Sequence, residues 1–186
     1  FLKEISTKYQ QRSETFFRLI SKAFCELPLA ALLTGDPNKP RVFVVHGGLT
    51  TRSNISISEL NSRINRRQQP SASGPDTIMF DLLWSDPQDE QGVGPSKRGS
   101  RIKNFGPDIT ESFLTRNNVK LIVRSHQSVD QGYEVKHDGR VVTVFSAPNY
   151  CGKQNLAAYL LFDHDLRAIP CQFKAVDFPS EMCSFL

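Results

Sequence analysis

Two short β-branched runs in this chain each end on a histidine, and that pairing constrains the fold more than any other feature. Arg41-Val-Phe-Val-Val45 opens directly into His46-Gly47-Gly48, and Lys120-Leu-Ile-Val123 ends in Arg124-Ser125-His126. Apolar runs of this length, bounded by glycine or polar residues, read as buried strands. Strand ends are where α/β folds place ligand-binding groups. Two imidazoles delivered this way could hold one metal ion, with carboxylates or water in the remaining positions. For each histidine taken alone, a hydrogen-bonded core imidazole is the alternative.

Around these strands the pattern alternates between helical and extended. Tyr9 to Leu27 reads as an amphipathic helix, with Phe16, Leu19, Ile20, Ala23, Phe24 and Leu27 at steps of three and four and Pro28 as its stop. Ser56-Ile-Ser-Glu59 has capping-box spacing and predicts a helix that buries Ile57, Leu60 and Ile64. Asp108-Ile-Thr-Glu111 has the same spacing and predicts a short helix to Asn117. Gln68 to Thr77, rich in Pro, Ser and Gly, predicts a surface loop. Gln88 to Gly106 has no periodicity and predicts a long loop of the kind that is functional or disordered. Tyr133 to Pro148 predicts a hairpin turned at Asp138-Gly139, and a second hairpin around His164-Asp165 joins Ala157–Phe162 to Ala168–Val176. The expectation is one α/β (α+β) domain over residues 1–186 with a strand-rich C-terminal half.

Composition narrows the function classes. The chain has 186 residues, 39% of them hydrophobic with 13 Phe, enough for one sizeable core. Its net charge is +4, from 23 basic and 19 acidic residues. The basic residues are scattered apart from Arg63, Arg66 and Arg67, a pattern that speaks against nucleic acid as a partner. Cys25, Cys151, Cys171 and Cys183 show no C-x-x-C spacing, so neither a zinc framework nor a disulfide scaffold is expected. A reducing compartment, cytoplasmic or nuclear, is the expectation. No apolar run approaches the roughly 18–20 residues of a membrane span.

Four further positions carry chemistry only in company. Gly47 and Gly48 permit close backbone approach to a bound group, or form an ordinary tight turn. Arg98, in Ser96-Lys97-Arg98-Gly99, has a guanidinium suited to gripping two phosphate oxygens, though a lone loop arginine is usually just solvated. Tyr150 could close one side of a cleft or pack against its own hairpin. Asp86 could orient an arginine or cap the next turn. His137 and His164 lie beside turn residues and are expected at the surface.

The ordered set His46-Gly-Gly48, Leu83-Trp-Ser-Asp-Pro87, Lys97-Arg-Gly99, Arg124-Ser-His126 and Ser146-Ala-Pro-Asn-Tyr-Cys151 resembles the phosphoprotein phosphatases, the serine/threonine class, and its type 5 branch most. Gly132-Tyr-Glu-Val135 and the opening Phe1–Tyr9 fit the same branch. The resemblance implies a calcineurin-like metallophosphoesterase β-sandwich flanked by helices, of which this chain holds the C-terminal portion. It implies hydrolysis of phosphoserine and phosphothreonine in proteins by a water bridging two divalent metal ions, manganese or iron with zinc, about 3.5–4 Å apart. It assigns His46 and His126 as ligands of one ion, Arg98 as a catalytic arginine that binds the substrate phosphate, and Tyr150 to the loop overhanging the substrate groove. Partners implied are phosphoprotein substrates and regulatory subunits or domains.

The departures are as informative. Gly-Asp-x-His-Gly, Gly-Asp-x-x-Asp-Arg-Gly and Gly-Asn-His-Glu, which carry the family's other ligands, do not occur in the chain. Thr50-Thr51-Arg52 stands where the family often has Ser, Pro and Asp. Two expectations follow from different classes: a truncated phosphatase that is inactive alone, or a non-catalytic binding module kept on the same scaffold. The intact second half of the site favours the first.

Overall fold

The computed structural model describes residues 1–52, 54–65, 69–73 and 77–176. The chain opens on α1 (Leu2–Tyr9), a 3-10 turn over Gln10–Arg12, and α2 (Ser13–Glu26). Strands β1 (Ala30–Leu33) and β2 (Arg41–Val45) follow, then α3 (Ile57–Arg63) and α4 (Thr77–Trp84). Next come β3 (Asp86–Pro87), β4 (Val93–Ser96), β5 (Gly99–Phe105), α5 (Pro107–Asn117) and β6 (Val119–Arg124). The last elements are β7 (Tyr133–Lys136), β8 (Val141–Val144), β9 (Ala157–Phe162) and β10 (Ala168–Phe173).

A five-stranded sheet in the order β1-β2-β6-β8-β7 is the frame. Its inner strands β2, β6 and β8 run parallel, and both outer strands are antiparallel to their neighbours. Parallel strands buried on both faces read as continuous apolar runs, which is why β2 and β6 stand out in the sequence. Phe43, Val45, Val119, Ile122 and Val141 face α3, α4 and α5, meeting Leu60, Leu82, Ile109 and Phe113. Val42, Leu121, Val123 and Val142 face the other way, toward Leu160, Phe162, Leu166 and Ala168 of the β9–β10 hairpin and its turn. The result is a sheet with helices on one side and a second small sheet on the other, as expected for this part of a calcineurin-like fold.

Several local expectations hold. Ser56 caps α3 through Glu59 N, and the Glu59 carboxylate returns to Ser56 N at 2.8 Å. Asp138 and Gly139 both take positive φ, 53° and 83°, and Arg140 N closes the turn on His137 O. The hairpin at His164-Asp165 pairs Phe162 with Ala168 as anticipated.

Four expectations are corrected. The helix from Tyr9 to Leu27 is two helices, broken where Gln10 takes φ 43°. None of α2's residues is buried, because its stripe meets only α1: Phe1 stacks near Phe17 and Phe24, and Tyr9 on Phe16 at 3.9 Å. The loop expected over Gln88 to Gly106 contains the β4–β5 hairpin. Its strands are half solvated and carry Gly, Pro and Ser, so the ladder forms without an apolar period. Asp108 does not cap α5. Pro107 starts that helix after Gly106, its fixed φ being suited to the first position, and Asp108 Oδ1 instead accepts from Gly92 N at 2.7 Å. His137 is buried rather than superficial, its Nδ1 bonded to Thr110 Oγ1 and its Nε2 to Gln88 O, each at 2.8 Å. The loop expected from Gln68 to Thr77 is irregular over 69–73 and gives way to α4 at Thr77, its other residues lying outside those described. Arg63 ends α3, while Arg66, Arg67 and Cys183 also lie outside the described residues.

Candidate metal and phosphate site

Parallel pairing of β2 with β6 aligns Val44 with Val123, so both strands release their loops at the same end of the sheet. Ser125 N then donates to His46 O at 3.0 Å, locking the two loops together. His126 takes φ 68°, a left-handed conformation that turns its ring back toward His46. His126 Nδ1 and His46 Nε2 lie 3.1 Å apart.

That separation fits a shared cation. Nitrogens each about 2.1 Å from one ion and roughly at right angles around it would lie about 3 Å apart. Burial holds both imidazoles below their ordinary pKa, with the Arg124 guanidinium adding for His46 and Arg98 for His126, whose pKa falls to about 4. Both rings are therefore neutral at physiological pH, the form that ligates metal. His126 Nε2 is buried and unpartnered, which marks the pocket as one completed by a group outside the described side chains. No group of three or more His, Cys, Asp or Glu that could hold a metal occurs among the described residues, so the two histidines stand as a pair.

The C-terminal end of α4 is the template for this pair. Leu82 O accepts from Gly47 N at 2.8 Å and from Gly48 N at 3.3 Å. Ser85 Oγ donates to Leu49 O, and the Trp84 ring stands edge-on to His126 at 5.3 Å. A Cβ on Gly47 would fall 2.4 Å from Leu83 C, and one on Gly48 would fall 2.3 Å from Phe105 Cε1. Close approach is the reason both are glycine.

Asp86 supports two arginines. Its Oδ2 accepts from Arg98 Nε at 2.7 Å, and its Oδ1 accepts from Arg124 Nη2 at 2.8 Å. Arg98 Nη2 also reaches His126 O at 2.9 Å, which ties the guanidinium to the histidine loop. Arg98 Nη1 has no partner among the described residues and is left for a ligand. Arg124 is enclosed, donating to the carbonyls of Gly47 and Ser85 and to Gln127 Oε1; burial lowers its pKa to about 10, so it stays charged. The structure thus unites His46, His126 and Arg98, and gives Asp86 the orienting role.

It does not place Tyr150 with them. That ring is half exposed and packs edge-on against Phe145 at 5.1 Å. Arg124 and Trp84 were quoted within motifs but given no role by sequence reasoning. A charged residue ending an apolar strand was the available signal for Arg124; nothing local marks Trp84.

The calcineurin-like phosphoesterase model matches residues 3–130. The chain belongs to that family. This phosphoesterase chain is 46% identical to serine/threonine-protein phosphatase 5 of Arabidopsis thaliana over 169 residues, 90% of the chain and 30% of the relative. It is 44% identical to the human protein of the same name, over 95% of the chain and 33% of the relative. A solved protein serine/threonine phosphatase from Saccharomyces cerevisiae, with similarity to human phosphatase PP5, superposes with a TM-score of 0.78 at 36% identity. That match covers 97% of this chain and 56% of the yeast one. The likeness to type 5 phosphatases drawn from the motifs is borne out, and the phosphoesterase chain spans about a third of the curated relatives it matches.

Proposed function

We propose that this chain supplies one half of a protein serine/threonine phosphatase site, acting on phosphoserine and phosphothreonine in proteins. The observation that carries this is the convergence of His46 Nε2 and His126 Nδ1 at 3.1 Å, with Arg98 bonded to the backbone of His126. Two divalent cations, manganese or iron with zinc, supply the positive charge that polarises the phosphoryl group and acidifies the attacking water.

The residues of this chain do the rest. His46 and His126 hold a cation as neutral ligands, leaving its charge undiminished. Arg98, steadied by Asp86, directs Nη1 at the phosphate oxygens, where it offsets charge that redistributes in the transition state. Arg124 neutralises the second oxygen of Asp86 and fixes the Gly47 carbonyl, so the histidine loop and the arginine move as one unit. Tyr150 is proposed to border the substrate groove.

Since the described residues offer two imidazoles and no third donor, the 186-residue chain by itself is expected to hydrolyse phosphoserine peptide or para-nitrophenyl phosphate negligibly, even with manganese. Chelator-sensitive turnover by the purified chain would overturn this. In a protein where the remaining ligands are present, His46→Ala and His126→Ala should lose metal and nearly all turnover. Arg98→Ala should keep metal and lose about 10²–10³ in kcat. Unchanged turnover in Arg98→Ala would return that residue to the solvated loop.

A further inference from the structure

We infer that Asp81 is a positioning residue for the histidine loop, setting through Thr50 and Thr51 where His46 presents its Nε2. The inference rests on the reading of His46 and His126 as a metal pair. Asp81 lies in α4 between Ile78 and Leu82, two residues packed in the main core, and is itself 5% exposed. An apolar side chain would pack there without desolvating a charge, and burial indeed pushes the Asp81 carboxyl above its ordinary range. No salt bridge offsets it among the described residues.

What the carboxylate gathers is the far end of the histidine loop. Asp81 Oδ2 accepts from Thr50 Oγ1 at 3.0 Å, Thr51 N at 3.2 Å and Thr51 Oγ1 at 3.3 Å. Thr50, 2% exposed, passes the link on by accepting from Arg52 N. The near end of the loop is already held by Leu82 O and Ser85 Oγ. Asp81 supplies the missing anchor, so all six residues from His46 to Thr51 are referenced to one helix end. That same end carries Trp84 against His126, so both imidazoles are aligned on one rigid element. The two threonines, which depart from the usual residues after His-Gly-Gly, are thereby explained as donors to this carboxylate.

The test replaces the trio together, Asp81→Leu with Thr50→Val and Thr51→Val, because removing both sides of a buried hydrogen bond spares the fold better than removing one. In the full chain, two-dimensional spectra of the imidazole nitrogens should show His46 shifted or broadened in the metal-free state while His164 is unchanged. Zinc affinity measured by calorimetry should fall about 10–100-fold, the usual cost of losing support behind a ligand. Asp81→Asn, which keeps one acceptor, should give a smaller change in the same His46 signals. A folded triple variant with wild-type His46 signals and zinc affinity overturns the inference. If the triple variant does not fold, wild-type His46 signals in Asp81→Asn overturn it. Zinc affinity unchanged in both His46→Ala and His126→Ala would instead sink the metal-pair reading, while the metal-free His46 signals still decide the role of Asp81.

Discussion

Asp86 shows how much one side chain can organise. It is a single carboxylate holding two guanidinium groups, one of them, Arg124, with a side chain 0% exposed. Asp86→Ala leaves that buried charge without its partner and is expected to cost about 3 kcal/mol in chemical denaturation. Asp86→Asn should cost less because it still accepts a hydrogen bond. His137 gives a second outcome, in pH dependence. Burial lowers its pKa, with the Gln88 carbonyl pulling the other way, so the folded chain keeps the ring neutral where an unfolded one takes a proton. The unfolded state thus binds more protons between the lowered native value and about 6.5. The contribution is complete above about pH 6.5 and is lost as pH falls through that window. Urea unfolding at pH 7.5 and 5.5 should show the drop, and His137→Gln should make it smaller. An equal drop in the variant would assign it to other histidines. No signal in the sequence marks His137 as buried: its cover comes from Thr110 on α5 and Gln88 beyond β3.

Elements with a local cause were legible. The α3 cap is complete within four residues, and Ser56→Ala is expected to lower stability by about 1 kcal/mol, read from the shift of the denaturation midpoint. The same spacing misled at Asp108, where Pro107 sets the helix start and the carboxylate is drawn to Gly92. A capping box is two reciprocal bonds, and spacing alone does not say whether a competing donor lies nearby. The β4–β5 hairpin was illegible for the opposite reason. Its ladder is built from backbone, with exposed and half-exposed side chains alternating along β4 and no apolar period to read. That hairpin nonetheless delivers Arg98 to the site, through its Lys97-Arg98 turn.

At the scale of the whole molecule, two apolar faces are left uncovered by the described residues. Leu19, Phe24 and Leu27 are more than half exposed along α2 and at its end, and Leu161 and Ile169 are at least half exposed on the outer face of the β9–β10 hairpin beside Tyr159. The chain is expected to bind a hydrophobic dye and to self-associate as concentration rises. Leu19→Glu with Phe24→Glu should reduce both, and a monodisperse parent chain without dye binding would favour a self-sufficient binding module over a phosphatase half. The sequence by itself determined the strands that end in histidine, both C-terminal hairpins, the α3 cap and the family, because each depends on residues close together in the chain or on motifs read in order. Tertiary structure alone decided that His46 and His126, 80 residues apart, meet at 3.1 Å, and that Asp86 serves Arg98 and Arg124 together. The physical reason is the parallel register of β2 and β6, a pairing between distant segments that ends both strands side by side against the C-terminal end of α4.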